Sequence, residues 1–374
     1  MSTICDRSSC TGCGLCSSLC PVSCISMEPG KLGHLFPLID ERKCLKCGLC
    51  TKNCPALNTS ERHSPQHAFA AWSRDESDYR SSTSGGVSSV LSHYTIDHGG
   101  VVYGCAVLPG ANIEHIRIDK KEDLYRIKGS KYVQSSITKV LPMIKQDVQN
   151  RNLVLFLGTP CQVAAVKKLF KFNPDNLILV DIVCHGTPSQ KMLQRYLRRH
   201  VSINIVDDVK FRTEGGFIIN ALSQKHILYS SPELWRNRYK DYYYNAFMDG
   251  FSYRDSCYEC QYASSERVSD ITIGDFWGLG KEYSSDEIPE HRYGVSLVLP
   301  NTDKGQTLFQ AITKDLNVYE RTVSEAVKGN DQLRHPKEKT KRVIAYRFLQ
   351  PLLGDKGAYD IIMGLVKIKM RLIK

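Results

Sequence analysis

Cysteine spacing carries the most readable chemistry in this chain. One run is Cys10-x2-Cys13-x2-Cys16-x3-Cys20-Pro21, and the same spacing returns at Cys44-x2-Cys47-x2-Cys50-x3-Cys54-Pro55. Three thiolates on so tight a loop cover three corners of a 4Fe-4S cubane. The fourth cysteine of each run lies too far along to close its own cluster and ligates the other one. The first cluster then takes Cys10, Cys13, Cys16 and Cys54, and the second takes Cys44, Cys47, Cys50 and Cys20. Zinc knuckles use two ligand pairs across a longer loop, and disulfide frameworks belong to exported chains. Neither matches two evenly spaced triplets. Cys24 is expected to pack, and Cys5 has no partner in register and receives no role.

Five cysteines remain: Cys105, Cys161, Cys184, Cys257 and Cys260. Cys257-Tyr258-Glu259-Cys260 is a ligand hairpin by spacing. Cys161 and Cys184 each follow an apolar run directly, in Gly158-Thr159-Pro160-Cys161 and Cys184-His185-Gly186-Thr187-Pro188. Functional groups of an open α/β sheet gather beyond the carboxyl ends of its strands. Two thiols there, joined by the hairpin, would make a four-thiolate site. A third 4Fe-4S cluster is the preferred occupant, with zinc second and four unrelated buried thiols as the plain alternative. His185 would either donate a proton to substrate or hydrogen-bond a cluster sulfur.

Clusters move single electrons whereas most metabolic donors give hydride, so a flavin is the expected converter. No GxGxxG or Walker A run is present. Ser84-Gly85-Gly86 at a helix start is a candidate anion cradle, because free N–H groups and the positive end of the helix dipole meet there. Gly129-Ser130-Lys131-Tyr132-Val133 is a second, its lysine suited to phosphate or to an anionic reduced ring. A plain surface loop explains it equally well.

The elements that must hold these groups alternate along the chain. Strands are expected at Ala68–Trp72, Val101–Val107, Leu153–Leu157 and Leu177–Val183, and helices after Ser84, over Ile137–Gln149, Gln162–Phe170 and Gln190–His200. Fully apolar strands separated by helices indicate a sheet covered on both faces. Shorter strands follow at Val209–Arg212, Phe217–Leu222 and Ile227–Ser230, then a tyrosine-rich helix over Glu233–Asp249. Strands at Ile271–Asp275 and Val295–Leu299 and a helix over Asp303–Lys314 complete the pattern. The fold class is an α/β body with a mainly covered sheet, plus a small α+β bacterial-type ferredoxin domain. The expected division is 1–60 for the ferredoxin domain, 61–145 and 146–330 for the two parts of the body, and 331–374 for a basic tail. Residues 61–66 read as a linker.

Of the net charge of +11, +8 falls between Arg334 and Lys374, where eleven Lys and Arg face three Asp and Glu. The remainder is nearly balanced, which argues against a nucleic-acid partner. In a helix, Ile361, Leu365, Ile368 and Leu372 would share one face while Lys367, Arg371 and Lys374 gather on another. Such a helix suits a peripheral membrane contact or a docked partner. Packing on the body is an equal alternative, and the alternation Val366–Leu372 also permits a strand. The first residues carry no apolar run and ten of the 15 cysteines precede residue 55. A cytoplasmic location is therefore expected, with cysteines serving metal.

Taken together, Ser84-Gly85-Gly86, Gly129-Ser130-Lys131-Tyr132, Gly158-Thr159-Pro160-Cys161-Gln162, Cys184-His185-Gly186, Cys257-x2-Cys260 and Asp270-Ile271-Thr272-Ile273-Gly274-Asp275-Phe276-Trp277-Gly278 resemble the coenzyme F420 hydrogenase/dehydrogenase beta-subunit family, over roughly residues 1 to 330. The resemblance implies FAD on the α/β body beside a 4Fe-4S cluster held by Cys161, Cys184, Cys257 and Cys260. It implies flavin contacts at Ser84, Gly85 and Gly86, at Lys131 and Tyr132, at Gly158 and Thr159, and at Asp275 and Phe276. An oxidoreductase is thus expected, passing electrons between a small hydride donor or acceptor and a redox partner protein or low-potential carrier. A non-catalytic electron-transfer subunit is the alternative. Fused relatives also occur in bacteria lacking the deazaflavin, often beside genes for surface-polysaccharide synthesis, so such a pathway is a further expectation.

Overall fold

The computed structural model describes residues 3–236, 239–282, 284 and 286–372. In the cysteine-rich module, helices α1 (Leu15–Leu19) and α2 (Leu49–Lys52) flank an antiparallel hairpin, β1 (Ile25–Pro29) and β2 (Leu35–Ile39). Each cysteine loop turns into its helix at a left-handed glycine, Gly14 at φ 75° and Gly48 at φ 72°. A side chain would be strained at that conformation. The segment 61–66, expected as a linker, is instead pinned: His63 and Arg267 exchange both main-chain hydrogen bonds at 2.8 Å, and Pro65 is buried.

The body continues with β3 (Ala68–Ser73), α3 (Glu76–Ser81), α4 (Val87–Asp97), β4 (Val101–Leu108), β5 (Asn112–Ile118), α5 (Leu141–Gln149), β6 (Val154–Gly158), α6 (Pro160–Lys167), β7 (Leu177–Ile182) and α7 (Gln190–Leu197). Then come β8 (Asp208–Lys210), β9 (Asn220–Ser223), β10 (His226–Ser230), α8 (Tyr242–Met248), β11 (Ile271–Asp275), β12 (Ser296–Pro300), α9 (Asp303–Ile312), β13 (Leu316–Arg321), α10 (Val323–Gly329) and α11 (Lys341–Leu372). One sheet has the order β13-β3-β12-β11-β7-β6-β4-β5. Its centre, β4-β6-β7-β11, is parallel, and the flanking pairings are antiparallel. The sheet is therefore mixed, and strands from both sides of residue 145 pair within it.

Both faces are covered, as buried parallel strands require. Leu141 and Ile144 of α5, Val163 and Val166 of α6 and Leu15 of α1 close one face, so the ferredoxin module completes the core of the body. Val87 and Leu91 of α4 and Phe309 and Ile312 of α9 close the other. β5, β13, α3 and α10 lie outside the sequence expectation. The tyrosine-rich helix begins only at Tyr242, where the Asp241 carboxylate accepts from Tyr244 N at 2.8 Å and caps it. A smaller sheet, β10-β9-β8, packs with α7 and α8 around a separate core.

The tail is helical, with a break at Pro351 and Gly354 (φ 70°, ψ 175°). Proline removes a helical donor and glycine tolerates the left-handed turn. Its docked face is Val343, Tyr346, Tyr359, Ile362 and Met363, and Arg195 fixes the break by a bidentate pair with Asp355. The expected apolar stripe instead points outward at Ile361 and Leu365. The side chains of Lys367, Ile368, Arg371 and Leu372, and residue Lys374, lie outside the described residues. Among the described residues no helix is long and apolar enough to cross a membrane.

Candidate functional site

Cys161, Cys184, Cys257 and Cys260 line one cavity of about 50 Å³ together with Thr159, His185, Tyr262 and Lys337. Three separate parts of the chain bring them there. Thr159 starts α6 with a reciprocal cap: its hydroxyl meets the N3 backbone, and Gln162 Oε1 accepts from Thr159 N at 3.0 Å. This capping box sets Cys161 in the first turn, with Thr159 Oγ1 3.2 Å from its sulfur. Cys184 follows β7, and Gly186 (φ 122°) lets the chain pass Tyr253, whose ring a Cβ would meet at 2.4 Å. Cys257 ends a 3-10 turn that begins at Asp255.

Burial pushes these thiols up, Cys161 to about 12 and Cys257 to about 11, and raises Cys184 and Cys260 too. After burial, their mutual repulsion is the next cause at Cys184 and Cys257. Four half-buried thiols crowded together resist ionising without a compensating cation, so this donor set favours a metal centre, whose binding releases the protons. A cavity of this size holds more than one water-sized body. Among the described residues no three His, Cys, Asp or Glu groups are arranged to hold one metal ion. Four thiolate donors around one cavity are the donor set that a 4Fe-4S cluster would take.

A buried ion pair secures the hairpin. Arg267, 1% exposed, lies 3.0 Å from Asp181 of β7, which also accepts from Thr272 Oγ1 at 2.6 Å. The same guanidinium donates to the oxygens of Tyr262 and Ser264. It ties the segment carrying Cys260 to the strand that leads to Cys184.

The ferredoxin cysteines continue from this cavity. Cys13 packs against the same core as Cys161 and Cys260, and the Tyr262 phenol is raised by burial and then by Cys161, Cys13 and Cys260. The first cysteine loop faces the body: a Cβ at Gly14 would meet Thr138 Oγ1 at 2.1 Å. Gln134 Nε2 donates to Thr11 O at 2.8 Å, His34 Nε2 lies 3.0 Å from Thr187 O, and Gln261 Nε2 donates to Pro55 O at 3.0 Å. Cys24 is buried beside Ile4 and Ile25, with its sulfur 3.3 Å from Cys20. Cys5, given no role by spacing, lies beside Cys10 and Cys54 and holds both thiols below their ordinary range by hydrogen bonding.

The expected flavin contacts divide into two groups. Arg212 gathers several of them. Its guanidinium donates to Thr83 O at 3.0 Å and pairs with the Asp275 carboxylate at 2.5 and 3.2 Å, while Ser130 N donates to Thr83 Oγ1 at 2.9 Å. Tyr132 lies against Arg212 and Phe217. The buried Tyr132 hydroxyl and Arg212 Nε have no hydrogen-bond partner of ordinary geometry among the described residues. The others serve the fold. Ser84 Oγ donates to Val295 O at 2.9 Å, and a Cβ at Gly85 would meet Ala71 O at 2.1 Å, so Gly85 answers sheet packing. Gly86 caps α4 without a side-chain partner, but Asp78 Oδ2 lies 3.4 Å from the place of its Cβ. Asp78 also takes Ser89 Oγ and Lys128 Nζ. A carboxylate thus already meets this helix start. Lys131 turns inward, its amine donating to Lys128 O at 2.8 Å and lowered by burial near Cys105. Phe276 joins the core beside Trp72 and Leu297, Gly158 packs on the Phe156 ring, and Thr159 lines the four-cysteine cavity. His185 sits exposed on the cavity rim, and among the described residues no hydrogen bond joins it to sulfur.

Residues 151–326 match the family described as the C terminus of the coenzyme F420 hydrogenase/dehydrogenase beta subunit, a stretch that takes in Cys161, Cys184, Cys257 and Cys260. This matched stretch is a little under half of the chain. Residues 9–58 match the 4Fe-4S dicluster domain and contain all eight cysteines of the two runs. A curated relative is the F420-dependent formate dehydrogenase subunit beta of Methanocaldococcus jannaschii, 27% identical over 137 residues. The match takes in 36% of this chain and 32% of that relative, so the chain spans about a third of its length. A chain of the F420-reducing [NiFe] hydrogenase complex from Methanosarcina barkeri aligns at a TM-score of 0.47 and 19% identity, covering 82% of this chain and 92% of that one.

Proposed function

We propose that this chain is an iron–sulfur oxidoreductase subunit exchanging hydride equivalents of a small donor or acceptor for single electrons. The observation that carries the reading is the placement of four cysteines from three parts of the chain around one buried cavity, next to Cys13 of the dicluster module. Cys161, Cys184, Cys257 and Cys260 would hold a third 4Fe-4S cluster, and the two cysteine runs would hold the other two. FAD would rest on Arg212, Tyr132, Asp275 and the main chain of the Ser84–Gly86 turn. Flavin chemistry interconverts hydride and two single electrons, and clusters relay electrons singly.

The chain's own contribution is orientation and exclusion of water. The Arg212–Asp275 pair fixes a planar cation over the Phe217 ring, 4.3 Å from its centroid, where it can meet an anionic group. The unpaired Tyr132 hydroxyl offers a donor in the same place. His185 would supply or accept a proton at the open rim.

A non-catalytic subunit serving a partner enzyme is the second reading, and the Asp78 carboxylate at the start of α4 favours it by opposing a phosphate there. Anaerobic purification with flavin analysis, then reduction by F420, NADH, NADPH and ferredoxin in turn, separates the two. Bound FAD with one preferred hydride donor supports the oxidoreductase. Iron without flavin, and reduction only by a protein carrier, supports the second.

A further inference from the structure

The two cysteine loops repeat one sequence pattern yet meet opposite surroundings. In the first, Gly12 is pressed against Arg254 and Gly14 against Thr138, and Cys10 and Leu15 are buried. In the second, a Cβ at Gly48 would meet nothing within 4 Å, and Cys47 is exposed. Leu45 and Leu49 flank it two residues away on either side, and with Leu57 of the same module they are 64%, 41% and 48% exposed. Three large apolar side chains standing in water on a module of this size need a reason.

Charge completes the pattern. From Lys43 to Ser60 the chain holds Lys43, Lys46 and Lys52 and no Asp or Glu. All three lysines are exposed; Lys43 shares Asp40 with Arg42, at 3.9 and 3.4 Å, while Lys46 and Lys52 stand among neutral neighbours. Lys46 belongs to the loop that would wrap the cluster, its N–H meeting Cys44 Sγ at 3.4 Å. Apolar residues with a surplus of positive charge at their rim have the anatomy of a transient protein interface, where complementary charge steers encounter. A small hydride carrier needs no such surface. A second copy of this chain, at +11, would be repelled.

We infer that the surface formed by Leu45, Leu49 and Leu57 within Lys43, Lys46 and Lys52 docks an acidic protein carrying a one-electron centre. The inference rests on Cys44, Cys47, Cys50 and Cys20 being cluster ligands. It makes this loop the point of exchange, with the cavity of Cys161 at the buried end. The partner's acidic patch meets the three lysines, and its redox centre faces Cys47.

The test measures binding of the iron-loaded full chain to two probes, a small acidic 2Fe-2S ferredoxin and a basic cytochrome c, at low and high salt. The acidic carrier binds and weakens about tenfold with salt, while the basic one does not bind. The variant Lys43→Gln/Lys46→Gln/Lys52→Gln weakens binding about tenfold, mostly in association rate, at unchanged iron content. Leu45→Gln/Leu49→Gln speeds dissociation, and Arg342→Gln on the tail changes neither. Equal binding by the lysine variant, a preference for the basic carrier, self-association through this face, or binding to anionic vesicles in place of the ferredoxin overturns the proposal. Wild-type protein lacking the iron of the Cys44–Cys50 loop overturns the ligand reading beneath it, which iron analysis reports separately.

Discussion

Arg254 Nε donates to the main-chain oxygen of Cys10 at 2.5 Å, so a buried guanidinium of the body grips the first cysteine of the dicluster module. The same group reaches Leu35 O at 2.7 Å and Cys10 Sγ at 3.4 Å, and lies over the Phe36 ring at 4.2 Å. Arg254 precedes Cys257 by three residues. One side chain therefore fixes the distance between the buried thiol site and the first ferredoxin loop.

Arg254→Gln removes a positive charge and an N–H from a ligand sulfur, which favours the oxidised, less negative cluster. The potential of the cluster on Cys10 should fall by on the order of 50 mV, about 1 kcal/mol for one electron. Redox titration followed by electron paramagnetic resonance reads the shift. An unchanged potential means that the contact is only structural.

Arg267→Met should destabilise the chain by about 3–5 kcal/mol, because Asp181 is left charged in an apolar interior. Asp181 is fully buried and Arg267 is 1% exposed. The double variant Arg267→Met/Asp181→Leu should recover much of that loss. Urea unfolding of the three proteins checks it, and simple additivity of the single effects contradicts it.

Two buried histidines make stability depend on acid. Burial lowers His34 to about 3, helped by Arg254, and His115 to about 4. Unfolded, both rings bind a proton near the ordinary 6.5. Below that value the unfolded state holds more protons, so stability is full above about pH 6.5 and declines toward pH 4 and 3. The slope is about 1.4 kcal/mol per pH unit for each ring. His115→Gln keeps a donor for Leu157 O without titrating and should remove one ring's share. Unfolding midpoints at pH 7 and pH 5 test this, and an unaltered slope contradicts it.

Arg212→Ala should lower flavin occupancy about tenfold, since a bidentate cation and its aromatic seat are lost together. Ser84→Ala should matter little, its hydroxyl being spent on Val295 O. Flavin released by acid precipitation gives the ratio. The reverse order would make the Ser84 side chain, and not Arg212, the principal flavin contact.

The parallel strands were legible because β6 is an uninterrupted apolar run and β7 is broken only by Asp181, as a doubly covered sheet allows. β5 and β13 were missed because Glu114 and Arg117 interrupt the first and Asn317 and Glu320 the second, a pattern weaker than an apolar run. The four body cysteines were legible through their placement after strands and their hairpin spacing. The three arginines that order the site were not. Arg212, Arg254 and Arg267 stand alone in sequence, and their partners lie far along the chain or on another element: Asp275, Cys10 and Asp181. The docked face of the tail was hidden for the same reason, because the partner surface of Tyr359 and Met363 forms only after folding.

Cys161, Cys184, Cys257 and Cys260 would hold a cluster of their own. Iron and acid-labile sulfide counts on anaerobically purified wild type and Cys257→Ser test it most directly. Wild type should hold about twelve irons and the variant about eight, four per cluster, with the dicluster spectrum retained. About eight irons in both proteins, or one zinc lost from the variant instead, would contradict it.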